Sequence, residues 1–390
     1  MPHLKVKPFD SSVVGTTIVK SSILTLHAKS LSNTDEVLGV EHGGEEFLLQ
    51  LKPDTKVTLL KYDKVTRPLK VNLLKEALST VSEELGLEIL SSNIAISHTK
   101  QALSSEYFKK IEDFENIDFP KKKVSVEVGF GSGRHLLYQA QKNPDTLFIG
   151  LEIHTPSAQQ VLKQVELQNI TNIWVVNYDA RLFLEMLPSN ICEKIFVHFP
   201  VPWDKKPHRR VISTSFLEES MRVLDVDGRL ELRTDSDKYF WYALETFFSP
   251  AKTEVEIRKN EALEVTSKYE ARWIRQEKDI YDVYVRCKEK SEETKVVLDF
   301  NFNIVKYRNG LETQLSKEPL VFDGYFVHFE RLYKTDDEQL LIKCAFGSFD
   351  RPEHKYIILN KKTCRYFVSS PVRTKVNFQA HQKIMELLNV

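Results

Sequence analysis

Short apolar runs broken by polar positions occupy residues 1–100. Phe47-Leu48-Leu49-Gln50-Leu51 and Val57-Thr58-Leu59-Leu60 read as strands, with Pro53-Asp54 as a turn between them. Leu74, Leu78, Val81 and Leu85 fall on one helical face, and Gly86 stands where a C-cap is expected. Over residues 101–290 the pattern changes to continuous apolar runs followed by helical stretches. Lys123-Val124-Ser125-Val126, Thr146 to Leu151, Asn172 to Val176, Lys194 to Phe199 and Leu230 to Thr234 read as buried strands, and Arg134 to Ala140 as the start of a helix. Strand–helix alternation of this kind predicts a doubly wound α/β sheet. From residue 291 short β-rich runs return: Val296-Val297-Leu298, Tyr325 to Phe329, Leu340 to Ile342 and Tyr356 to Leu359. The charged stretch Lys288 to Lys295 is the expected linker. The predicted organisation is three segments: 1–100, a β-rich and partly helical extension; 101–290, the α/β domain; and 291–390, a β-rich domain.

Composition narrows the class without naming it. The chain has 390 residues, 42% of them hydrophobic, enough for a sizeable core. Lysine plus arginine balance aspartate plus glutamate at 55 each, so any nucleic-acid contact must use a local patch. No apolar run reaches bilayer length and no secretory leader is evident, so a cytoplasmic chain is expected. Cys192, Cys287, Cys344 and Cys364 are scattered, which points to reduced thiols and no metal site.

The candidate chemistry begins at Glu127-Val128-Gly129-Phe130-Gly131-Ser132-Gly133. A carboxylate ends a strand and a G-x-G-x-G loop turns into a helix. Glycine lets backbone bend tightly and lie against a ligand. Dinucleotide-binding folds use G-x-G-x-x-G instead. A carboxylate at the loop repels pyrophosphate and suits a cationic or zwitterionic ligand such as S-adenosylmethionine. Glu152 ends the next strand, near the spacing at which an acid reaches ribose hydroxyls, and Asp179 ends the third. Three strand-end carboxylates in register argue against simple helix caps.

The fourth strand runs into Pro200-Val201-Pro202-Trp203-Asp204-Lys205-Lys206-Pro207-His208-Arg209-Arg210. Leu230 to Asp235 and Ser267-Lys268-Tyr269-Glu270-Ala271-Arg272 follow in order. This series resembles the bacterial tRNA (guanine-N7)-methyltransferases over roughly Lys121 to Cys287, with their F-P-D-P-W-x-K-x-x-H-x-x-R signature, Thr-Asp strand end and T-K-F-E-x-R segment. The resemblance implies a Rossmann-like class I methyltransferase sheet between β-rich flanking domains, S-adenosylmethionine as cofactor and tRNA as partner. It implies cofactor contacts at Glu127, Gly129, Gly131, Gly133, Glu152, Ile153, Asp179 and Ala180. It implies substrate contacts at Lys205, Asp235, Ser267, Lys268, Tyr269 and Glu270, with Asp235 as a catalytic carboxylate and guanine 46 as target; Asp204 is a second catalytic candidate by its place in the loop alone. Two departures stand out: Val201 replaces the aspartate between the prolines, and Ser267 and Tyr269 replace Thr and Phe. Asp204 is the nearby acid available to stand in, or it is a loop residue capping the next helix.

Basic residues cluster at Lys205, Lys206, His208, Arg209 and Arg210, where phosphate contact is expected. A second group, Lys361, Lys362, Arg365, Tyr366, Arg373 and Lys375, mixes cations and aromatics on predicted strands, a composition that suits RNA and equally an ordinary charged surface. Val201 supports a different class of function, a non-catalytic RNA-binding or accessory protein. A guanine-N7 methyltransferase of another RNA also remains open. A nucleotide-dependent dehydrogenase is disfavoured by the glycine spacing.

Overall fold

The computed structural model describes residues 2–66, 71–95, 105–115, 117–120, 122–265, 276, 278–293, 298–303, 307, 308, 310–349 and 351–389, of which Glu115 by its backbone alone. The chain forms two compact units, one built from Met1–Ala102 with Leu298–Val390 and the other from Leu103–Val297.

In the first segment, strands β1 (His3–Val6), β2 (Leu24–Ser30), β3 (Glu36–His42), β4 (Glu45–Lys52), β5 (Thr58–Tyr62) and β6 (Ile89–Ser92) accompany helices α1 (Ser12–Ile18) and α2 (Val71–Glu84). The helical face foreseen for α2 is the buried one: Leu74, Ala77, Leu78 and Val81 pack on Leu38, Val40, Leu49 and Leu60. Gly86 takes φ +61° just past the helix end, and the Leu87 N–H donates to the Ser82 carbonyl at 2.8 Å, a C-terminal cap.

The α/β unit holds β7 (Phe108–Lys109), β8 (Lys123–Val128), β9 (Thr146–Leu151), β10 (Ile173–Val176), β11 (Cys192–His198), β12 (Leu224–Thr234), β13 (Glu254–Lys259) and β14 (Tyr281–Arg286). Its helices are α3 (Arg134–Lys142), α4 (Thr155–Leu167), α5 (Ala180–Phe183), α6 (Thr214–Val223) and α7 (Asp237–Phe247). The sheet order is β13-β14-β12-β11-β8-β9-β10-β7, parallel except that β14 runs antiparallel to β12 and β13. After β8 the chain builds outward to β10, then crosses back to β11 and builds the other way. That reversal opens a crevice at the carboxyl ends of β8, β9 and β11, where such sheets bind ligands. The apolar runs read as continuous because these strands are covered on both faces.

The last segment adds α8 (Leu311–Gln314), β15 (Leu320–Val321), β16 (Phe326–Thr335), β17 (Leu340–Gly347), β18 (Pro352–Leu359), β19 (Cys364–Phe367) and α9 (Lys375–Leu388). The sequence reads residues 1–100 and 291–390 as separate flanks, and the structure corrects this. β16 pairs with β2 through Tyr333↔Ser30 and Thr335↔Ala28, making one antiparallel sheet in the order β19-β18-β17-β16-β2-β3-β4-β5-β1-β6, with β15 on β16. On one face α9 covers β16 to β18 and α2 covers β3 to β5. On the other, Leu26, Val37 and Leu48 meet Leu341, Tyr356 and Phe367. The sheet coils enough for the Tyr356 hydroxyl to donate to the buried Asp63 carboxylate of the opposite half at 3.0 Å. The linker foreseen at Lys288 to Lys295 is partly tied down: the Asn190 side chain donates to the Ser291 carbonyl and accepts from its N–H.

Candidate functional site

The residues expected on the cofactor side gather at the crevice. Gly129, Gly131 and Gly133 have φ of +68°, +54° and +72°, the left-handed region that glycine enters without strain. The Gly131 N–H donates to Glu152 Oε2 at 2.9 Å, and the His154 N–H donates to Glu152 Oε1 at 2.9 Å. Glu152, immediately past β9, thus ties the glycine loop to the start of α4. Glu127 is buried and accepts from His135 Nδ1 at 2.8 Å, a partner on the first turn of α3 that sequence reasoning missed because the contact crosses from strand to helix. Asp179 does cap a helix: it accepts from the Arg181 N–H at 2.9 Å and pairs with the Arg181 guanidinium at 3.2 Å. The expectation that these carboxylates are not caps is corrected at this position. Ala180 is buried as the first residue of α5, and Ile153 is 69% exposed beside Glu152. The cradle has room for a ligand at its outer end. A Cβ on Gly129 would meet nothing within 4 Å, whereas one on Gly133 would overlap the Val161 side chain of α4.

The loop after β11 carries two bulky residues at positive φ, Phe199 at +50° and Trp203 at +45°. Such strain is held only where surroundings enforce it, and it concentrates at functional sites. Arg210 supplies the enforcement. Its Nε donates to the Pro202 carbonyl at 2.8 Å, its Nη2 lies 3.5 Å from Asp204, and its guanidinium stacks 4.3 Å from the Tyr242 ring of α7. Arg210 is buried, so it faces the loop rather than phosphate, which corrects its place in the expected basic patch. Lys205, Lys206, His208 and Arg209 remain exposed. Arg209 lies over the Trp203 ring at 5.2 Å. Asp204, expected to replace the missing aspartate, is half-exposed and paired with Arg210, and Val201 is 60% exposed.

The neighbouring strand brings the second carboxylate to the same edge. The Phe199 N–H donates to the Arg233 carbonyl at 2.7 Å, tethering the loop to the end of β12. Thr234 is buried, and Asp235 follows it with its carboxylate 2.9 Å from Lys278 Nζ. Lys278 has no local signal that marks it as a partner. Beneath the edge, Arg233 pairs with the buried Asp282. His198, at the end of β11, packs 4.6 Å from the His135 ring, and burial, followed by the charges of His135 and Arg233, holds its pKa well below the ordinary histidine value. Ser267, Lys268, Tyr269 and Glu270 lie outside the described residues.

The strand order, the antiparallel β14 and the glycine loop at the point of reversal define a class I methyltransferase. Residues 121–283 match the family model described as "Putative methyltransferase". A tRNA (guanine-N(7)-)-methyltransferase of Wolinella succinogenes is 42% identical over 367 residues, covering 92% of this chain and 94% of its own. The enzyme of that name from Campylobacter jejuni serotype O:23/36 is 40% identical over 351 residues, covering 89% and 88%. A solved structure, the 16S rRNA methyltransferase KamB, aligns at 15% identity with a TM-score of 0.36, covering 43% of this chain and 89% of its own. The chain belongs to the tRNA (guanine-N7)-methyltransferase family.

Proposed function

We propose that this protein methylates N7 of guanine 46 in the variable loop of tRNA, with S-adenosylmethionine as donor. The observation that carries the reading is the likeness to a relative named tRNA (guanine-N(7)-)-methyltransferase across 92% of this chain. The donor supplies an electrophilic methyl group on a sulfonium. Gly129 and Gly131 would accommodate it against bare backbone, Glu152 would accept from its ribose hydroxyls, and Asp179 and Ala180 would border its base. Glu152 keeps acceptor capacity beyond its two backbone bonds, since a carboxylate offers about four lone-pair sites.

Guanine N7 carries a lone pair at neutral pH, so no base is needed to create the nucleophile. The protein's task is to hold the purine in line and to stabilise the positive charge that grows on the ring. Asp235, with its carboxylate 2.9 Å from Lys278 Nζ, would accept from the guanine N1–H and N2–H₂. Asp204 is oriented by Arg210 and would act at longer range. On this reading Val201 is tolerated because the missing aspartate has no proton to remove.

The test is incubation with unmodified tRNA transcript and labelled S-adenosylmethionine, followed by nucleoside analysis. 7-Methylguanosine should form, and a transcript with adenine at position 46 should not be labelled. Binding of both partners without transfer, with transfer restored by Val201→Asp, would establish the accessory-protein reading instead.

A further inference from the structure

The flanking unit carries a cluster in which Lys52, Lys61, Lys64, Arg331 and Lys343 outnumber the acids Asp35, Asp63 and Glu330. Asp35 is shared by Lys52 at 3.2 Å and by Arg331, and Glu330 is shared by Lys343 at 2.9 Å and His354 at 3.5 Å. Arg331 and Lys343 are a cross-strand pair on β16 and β17, so the two shared acids belong to one patch. Lys61 of β5, cross-strand to Gln50 of β4, adds a further positive charge beside Lys52 and Lys64. Burial, and then the charges of Lys52 and Lys64, hold its ammonium below the ordinary lysine range. Strand alternation places Lys52, Lys61, Arg331, Lys343 and His354 on the sheet face that α2 and α9 leave uncovered, at the border of the Leu48, Tyr333, Tyr356 core, and the exposed Lys64 follows just past the end of β5. Like charges brought together at a cost to the fold are the arrangement a polyanion relieves. The relatives named as tRNA methyltransferases match over lengths that include this unit.

We propose that this face, through Lys52, Lys61, Lys64, Arg331, Lys343 and His354, binds the phosphate backbone of the tRNA substrate. The proposal rests on the tRNA reading above. It assigns the flanking unit a role in holding RNA, and the group foreseen at Lys361, Lys362, Arg365 and Tyr366 loses its stacking member, since Tyr366 is buried and bonded to His381 at 2.9 Å.

The test uses the full chain and equilibrium binding of unmodified tRNA across a salt series, beside methyl-transfer kinetics. Lys61→Gln with Lys64→Gln should weaken tRNA binding roughly fivefold to tenfold and flatten the salt slope by about 1.4–1.8, the scale of two phosphate contacts. The kcat at saturating tRNA and the affinity for S-adenosylmethionine should not change, and melting should show no loss of stability, because a repulsion has been removed. Lys361→Gln with Lys362→Gln makes the same charge change on the β18–β19 turn and should have little effect. Equal effects from the two pairs, or an unchanged slope in the first, would overturn the proposal. A protein that binds tRNA through this face yet transfers no methyl group would instead sink the proposed reaction.

Discussion

At the scale of single residues, Arg210 shows how position overrides charge. In the sequence it closes a run of cations and reads as one more phosphate contact. In the structure it is buried, stacked on Tyr242, and bonded to the loop it follows. Its neighbours divide accordingly. Lys205→Gln with Lys206→Gln is expected to raise the KM for tRNA and to flatten its salt dependence by about 0.7–0.9 per lost contact. Arg210→Ala is expected to leave that slope alone, to cost about 2–3 kcal/mol of stability through its lost hydrogen bond and ring contact, and to lower kcat by releasing the strained loop. Arg210→Lys should not rescue it, because an ammonium lacks the planar fork that makes both contacts. A salt series and a thermal melt on the same samples separate these outcomes, and a changed slope in the Arg210 variants would return that residue to the RNA-contacting set. His198 makes a second residue-scale expectation. Its folded pKa lies below 6.5, so the unfolded chain binds more protons as the pH falls past that value. The stability it contributes is complete above about pH 6.5 and is lost on acidification, and His198→Gln should flatten the fall in Tm between about pH 5 and 6.5. The same fall in the variant would assign the effect to other groups.

At the scale of elements, the three loop glycines look alike in sequence and differ in what surrounds them. All have positive φ, but Gly133 abuts Val161 while Gly129 faces open space. Gly133→Ala is expected to destabilise the α/β unit by about 2–5 kcal/mol, from left-handed strain of about 1–2 added to overpacking of about 1–3. Gly129→Ala should cost only the strain, and its methyl group, projecting into the cradle, should weaken S-adenosylmethionine binding. Calorimetry of binding beside denaturant unfolding tests the contrast, and equal stabilities for the two variants would refute it. The glycine loop, the buried strands and the acids at their ends were legible in sequence because a parallel sheet covered on both faces leaves unbroken apolar runs with punctuation at one edge. The tasks of those acids were less so. Asp179 spends its oxygens capping α5 and pairing with Arg181 two residues on, the local alternative that the run of three acids argued against; Glu127 meets His135 across strand and helix and Asp235 meets the distant Lys278, partners that no local pattern reports.

At the scale of the whole molecule, the sequence divides into three parts and the structure into two units. The change in pattern near residues 101 and 291 was visible, but the pairing of β2 with β16 was not. It joins segments separated by the entire α/β unit, and each half alone shows the ordinary alternation of a half-buried sheet. The consequence is directional. The α/β unit is one continuous stretch with its own core, so it can lose its flanks and keep its strand order. The N-terminal segment cannot lose the C-terminal one so easily. Ending the chain at Val297 removes the strand that pairs with β2, uncovers Leu26, Val37 and Leu48, and takes from buried Asp63 the hydroxyl of Tyr356. An exposed strand edge beside newly exposed apolar surface also invites association. Hydrogen exchange on the truncated chain should therefore show β2 to β4 stripped of protection while β8, β9, β11 and β12 retain theirs, and S-adenosylmethionine should still slow exchange in the glycine loop. Retained protection in β2 to β4 would mean that the α2 side of the sheet suffices to hold the N-terminal segment folded, and the flanks would then be two domains after all.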